Sequence, residues 1–88
     1  GKKIINVHPS LLPKFKGLNT HERVLLNKEK YTGCTIHYVN HKLDSGKIIL
    51  QKEINVLKND TVKKLEKKVL KIEHKLYPQA IKKICSNL

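Results

Sequence analysis

Eighty-eight residues make one small domain or part of a larger one, and no run approaches the roughly 20 apolar residues of a membrane span. The formal net charge of +12, from 19 Lys+Arg against 7 Asp+Glu, favours anionic partners: phosphorylated metabolites, polyglutamate tails, nucleic acid or acidic membrane. Base-reading sites lean on arginine and RNA-binding sheets on exposed aromatics. Arg23 is the single arginine and aromatics are 5% of the chain, which weighs against nucleic-acid readout and leaves much of the lysine to solvated faces.

The chain opens on an apolar run, Ile4, Ile5 and Val7, interrupted by Asn6 and followed by His8. Pro9 ends it, because proline has no N–H to give a ladder. On a strand, Asn6 and His8 project from the same face, about 6–7 Å apart. Asn6 offers an amide donor and His8 a proton that moves near neutral pH, at the mouth of a buried-type strand where α/β proteins keep their chemistry. A strand end with two hydrogen-bonded polar residues accounts for them equally well. Such a strand needs neighbours on both sides, and the chain lacks methionine, so we expect a segment of a longer domain whose core is completed from elsewhere.

Pro9–Gly17 reads as a loop carrying Lys14 and Lys16. A short helix follows, capped by Asn19 or Thr20, with Val24 and Leu25 on its apolar side. Asn27–Lys30 is a polar turn. Tyr31–Val39, rich in β-branched and aromatic residues, is a strand with Thr35, His37 and Val39 on one face and Cys34, Ile36 and Tyr38 on the other. Asn40–Gly46 is a loop, and Lys47–Val56 a strand able to pair antiparallel with the one before it.

Asp60 is the expected cap of the last helix. Val62, Leu65, Val69, Ile72 and Leu76, prolonged by Ala80 and Ile84, form one apolar stripe that suits packing on a sheet better than a coiled coil. Pro78 predicts a kink near Lys75–Tyr77. Cys34 and Cys85 form no C-x-x-C and read as plain packing residues of a reducing compartment. A zinc set of His8, His21, His37 and His41 is disfavoured, because His37 and His41 share a face only on a helix.

Five ordered motifs carry a resemblance: N-x-H-P-S-L-L-P at Asn6–Pro13, K-G-L-N-T-H at Lys16–His21, T-G-C-T-I-H-Y-V at Thr32–Val39, L-D-S-G at Leu43–Gly46 and E-H-K-L-Y-P at Glu73–Pro78. Together they closely resemble the glycinamide ribonucleotide transformylase family, over nearly the whole chain and matching its C-terminal half. Methionyl-tRNA formyltransferase also has S-L-L-P but usually continues R-G-A-A-P, and formyltetrahydrofolate deformylase usually lacks H-P-S-L-L-P. The wording favours the purine enzyme. The remaining alternatives are those two relatives and, on charge alone, a basic nucleic-acid-binding module with steeply salt-dependent affinity.

The resemblance implies an α/β class: the C-terminal part of a formyltransferase-type Rossmann-like fold, with a mixed sheet and a long kinked C-terminal helix. Residues 1–88 would be one unit whose N-terminal half, with the substrate-phosphate loop, is absent. It implies 10-formyltetrahydrofolate as co-substrate, no metal, small-molecule substrates, no nucleic-acid or membrane partner and a cytoplasmic location. Asn6, His8 and Asp44 match the family's catalytic positions, with Asp44 favouring the charged form of His8. Asn6 and the run Asn40, His41, Lys42, Leu43 and Asp44 match its folate site, the loop largely through backbone. Glu73 matches the residue on the substrate ribose hydroxyls, and Leu70 stands where bacterial-type members often carry Gln beside the substrate. Lys47 replaces a frequent Pro after the glycine. The S-L-L-P wording further implies a cis Leu12–Pro13 bond, in keeping with the confinement of cis bonds to X-Pro.

Overall fold

Strand β2 (Tyr31–Tyr38) lies at the centre of a three-stranded sheet, between β1 (Ile5–His8) and β3 (Ile48–Asn55). Helix α1 (Thr20–Leu26) joins the first two strands and α2 (Val62–Ser86) closes the chain. The computed structural model describes residues 4–39 and 46–86. Both pairings are antiparallel, β1 running from Ile5↔Tyr38 to His8↔Thr35 and β3 from Tyr31↔Asn55 to Ile36↔Leu50. The pairing of the second and third strands is the one their sequence predicts; no parallel pair occurs among the described residues, which form one antiparallel part of the implied sheet.

A β-bulge between Ile36 and His37 sets His37 opposite Ile48, so Ile49 is the extra residue on β3. The bulge lets consecutive residues of the run Ile48–Leu50 reach one core: Ile49 is buried and Leu50 packs against the same cluster. Cys34, Ile36 and Ile49 meet Val69, Leu76 and Ala80 of α2 there. Each fully buried aliphatic side chain contributes about 1.5–3 kcal/mol over leaving it in water. Leu65 is buried along the same stripe, so the apolar periodicity of 62–84 packs on the sheet as its spacing requires.

Two helix starts differ from expectation. Thr61 caps α2, its Oγ1 accepting from the Lys64 N–H at 3.2 Å. Asp60, predicted to be that cap, instead accepts from Leu57 N at 2.9 Å and Lys68 Nζ at 2.6 Å, closing the preceding turn. At α1, Asn19 holds the cap position in a left-handed conformation, φ 56°, and its side chain makes no capping bond. Helix α2 runs without interruption through Pro78, which lies on its exposed side. No described helix is long and apolar enough to cross a membrane.

Candidate active site

Directly opposite residues of an antiparallel pair share a face, so the register sorts side chains across the whole sheet. Ile5, Val7, Cys34, Ile36 and Leu50 form the face under α2. Asn6 and His8 of β1 share the other face with their partners His37 and Thr35 on β2, and Thr35 in turn stands opposite Gln51 of β3. Segment 9–17 covers this polar face. Its Leu12–Pro13 peptide bond is cis, as the S-L-L-P resemblance implies.

Segment 9–17 fixes His8. The buried His8 ring places Nε2 2.8 Å from the Phe15 carbonyl oxygen. A carbonyl only accepts, so Nε2 carries the hydrogen of this bond. Phe15 offers that carbonyl from a left-handed backbone, φ 55°, which costs a non-glycine residue of the order of 1–3 kcal/mol and persists only under outside constraint. Part of the constraint comes from α1: the Arg23 guanidinium stacks 5.6 Å from the Phe15 ring centroid and Nη2 donates to Lys16 O at 2.5 Å. Asn6 is exposed, with its amide open to an approaching molecule. His37 is buried beside it. Its Nδ1 lies 3.0 Å from Tyr38 O, and Nε2 is a buried acceptor without a partner among the described residues.

A cavity of about 580 Å³ opens where the end of β1 meets the starts of α1 and α2, lined by His8, Pro9, Thr20, His21, Val62 and Glu66 among others. Burial pushes the His21 imidazole below its ordinary value, Glu66 pulls it back up, and His8 depresses it further. Two turns along α2 from Glu66, burial raises the half-buried Glu73 carboxyl, while His74 and His8 draw it down. Leu70, one turn earlier, is 47% exposed. The Cys34 thiol is pushed up to about 11, by burial first and then by Glu73, which makes it a packing group and not a nucleophile.

Of the residues singled out in the sequence, Asn6 and His8 stand together on β1, and Glu73 is close enough to His8 to feel its charge. Asn40, His41, Lys42, Leu43 and Asp44 lie outside the described residues. The sequence reading passed over Thr35 and Gln51, which join His8 in one cross-strand row, and over Glu66; His21 entered it only as a metal candidate. The alternation of β2 does place Thr35 with His37, but finding Gln51 requires the register, which the bulge sets. Among the described residues, no group of three His, Cys, Asp or Glu is placed to hold a metal ion.

The polar face thus brings a buried histidine at a strand end beside an exposed asparagine, under a loop clamped by α1. The formyl transferase family model matches residues 1–81, and the chain belongs to that family. Among curated relatives, phosphoribosylglycinamide formyltransferase of Bacillus subtilis is 44% identical over 84 residues, 96% of this chain and 43% of that protein. The trifunctional purine biosynthetic protein adenosine-3 of Bos taurus is 48% identical over 84 residues, 96% of this chain and 8% of that one. The crystal structure of phosphoribosylglycinamide formyltransferase from Anaplasma phagocytophilum superposes with a TM-score of 0.92 at 48% identity, covering 96% of this chain and 40% of that one. The chain therefore spans less than half the length of each.

Proposed function

We propose that this chain is the C-terminal portion of a phosphoribosylglycinamide formyltransferase, which moves the formyl group of 10-formyltetrahydrofolate to the primary amine of glycinamide ribonucleotide in cytoplasmic purine synthesis. The observation that carries the reading is His8, buried at the end of β1 with Nε2 on the Phe15 carbonyl and the exposed Asn6 two residues before it. The identity to enzymes bearing that name supports the choice of acceptor.

The amine nitrogen attacks the formyl carbon, and the carbonyl electron pair moves to oxygen. Asn6 donates a hydrogen bond to that oxygen, and protonated His8 adds a second donor with its charge. Collapse breaks the bond between the formyl carbon and the folate nitrogen. The proton lost by the amine ends on that nitrogen, carried directly or through water by His8 and Asp44. Glu73 accepts from the ribose hydroxyls, Leu70 supplies an apolar contact beside them, and the backbone of Asn40–Asp44 holds the pterin. The N-terminal half of the domain would contribute the phosphate loop. No covalent intermediate and no metal enter these steps.

The test is tetrahydrofolate release by the full-length protein given both substrates. Asn6→Ala and His8→Ala should each lower kcat by about a hundredfold or more with far smaller change in KM, as expected for donors aimed at the oxyanion. Turnover confined to a formyl-accepting aminoacyl-tRNA, or to water, would assign the chain to a different branch of the family. Either result would refute the proposed acceptor.

A further inference from the structure

One row of three directly opposed residues crosses the polar face of the sheet: His8 on β1, Thr35 on β2 and Gln51 on β3. The outer two do not touch. What links them is the backbone of the covering loop. The Gln51 side-chain amide donates one hydrogen to Leu12 O at 2.8 Å and the other to Thr35 Oγ1 at 2.9 Å. Thr35 Oγ1 also accepts from Leu12 N at 3.0 Å and donates to Ser10 O at 2.7 Å. Both amide hydrogens are used, and the hydroxyl has spent its one hydrogen and both lone pairs.

Backbone polarity fixes this network in one sense. Leu12 O and Ser10 O can only accept and Leu12 N can only donate, so Thr35 must point its hydrogen at Ser10 and Gln51 must present its NH₂ side. The loop is thereby stitched to the sheet at Ser10 and Leu12. From that anchor it continues through a turn held by Lys14 N to Leu11 O at 3.0 Å and by Ser10 Oγ to Lys14 O at 2.6 Å. The next residue is Phe15, whose carbonyl receives His8 Nε2.

We infer that Gln51 is a positioning residue for His8, acting through Thr35 and the Ser10–Phe15 loop to keep Nε2–H of the imidazole on the Phe15 carbonyl. The inference rests on the assignment of His8 to formyl transfer made above. Gln51 touches no reacting atom. Without its two donors, Leu12 O and Thr35 Oγ1 each lose a partner, the loop loses its grip on β3, and the strained Phe15 carbonyl can relax away from the ring. The hydrogen is then shared between the two imidazole nitrogens, and part of the population carries it on the wrong one.

The experiment uses Gln51→Met in the full-length protein, with ring ¹⁵N spectra of His8 and steady-state kinetics measured together. Gln51 is an exposed residue, so methionine replaces it without opening a core cavity. With the spectra taken where the ring is neutral, the expected result is a change of His8 from one tautomer to a mixture, with kcat lower by about tenfold and KM within about twofold, as for the loss of a positioning contact. Thr35→Ser keeps the hydroxyl and should retain the wild-type spectrum and rate, whereas Thr35→Val should reproduce Gln51→Met. A folded Gln51→Met protein whose His8 ring spectrum matches wild type overturns the inference. A mixed-tautomer spectrum with unchanged kcat supports the positioning and overturns the role of His8 in the reaction, so the two failures are distinguishable.

Discussion

Burial holds the Glu73 carboxyl above the ordinary glutamate range, against the pull of His74 and His8. A carboxyl raised by folding binds more protons folded than unfolded, so stability falls as pH rises from the ordinary glutamate value through the raised one, and the penalty persists above it. Glu73→Gln removes that penalty. Thermal unfolding of the full-length protein should show the variant more stable than wild type at neutral pH, with the difference closing once both carboxyls are protonated in acid. The same substitution should raise KM for the ribonucleotide by about tenfold with kcat little changed, because a neutral amide is a weaker partner for hydroxyl groups. Asp44 calls for a second test. If its charge keeps His8 protonated, Asp44→Asn should lower kcat about tenfold or more at neutral pH and move the high-pH limb of the activity profile toward lower pH. An unaltered profile in a folded variant would leave Asp44 the task of orienting water.

At the scale of elements, Gly33 decides how closely the loop, β2 and β3 can approach. A Cβ there would lie 1.9 Å from Lys52 O and 2.9 Å from Leu11 Cδ2. The first neighbour is backbone of the adjacent strand and cannot swing aside. Gly33→Ala should therefore destabilise by about 2–3 kcal/mol, at the upper end for overpacking, measurable as a fall in denaturant midpoint. Helix α2 shows the opposite kind of site. Lys63, Lys67, Lys71 and Lys75 are exposed at successive i,i+4 positions, where like charges destabilise by about 0.2–0.5 kcal/mol per pair. Lys67→Glu turns two such pairs into attractive ones and should stabilise by about 0.8–2 kcal/mol, measurable as a rise in denaturant midpoint.

The elements themselves were legible because each has one strong period: alternation in 31–38 and a 3–4 stripe in 62–84. The caps were less so. Asp60 and Thr61 are both good capping residues, and tertiary hydrogen bonds to Leu57 and Lys68 claimed the first. Within the site, Asn6, His8 and Glu73 were found through motif wording. Gln51 carries no such wording, since its role comes from a register that one bulge displaces.

For the molecule as a whole, length is the governing quantity. The chain covers 43% of its Bacillus subtilis relative, and Ile4, beside β1, is 64% exposed. We expect the 88 residues assayed alone to release no folate even at high protein concentration, and the full-length protein to do so. Turnover by the short chain near that of the full-length protein would show that these 88 residues already suffice.

The central place of β2 has a consequence for how the molecule opens. Residues Thr35–Ile36 have a strand on each side, α2 beneath and segment 9–17 above. Their amides can meet solvent deuterium only when the sheet comes apart, whereas amides of β1 and of the covering loop need smaller openings. Exchange should therefore proceed inward from two directions and reach the middle of β2 last. The lag between Leu12 and Ile36 then measures how tightly the loop is seated, without any ligand and without any assay of turnover.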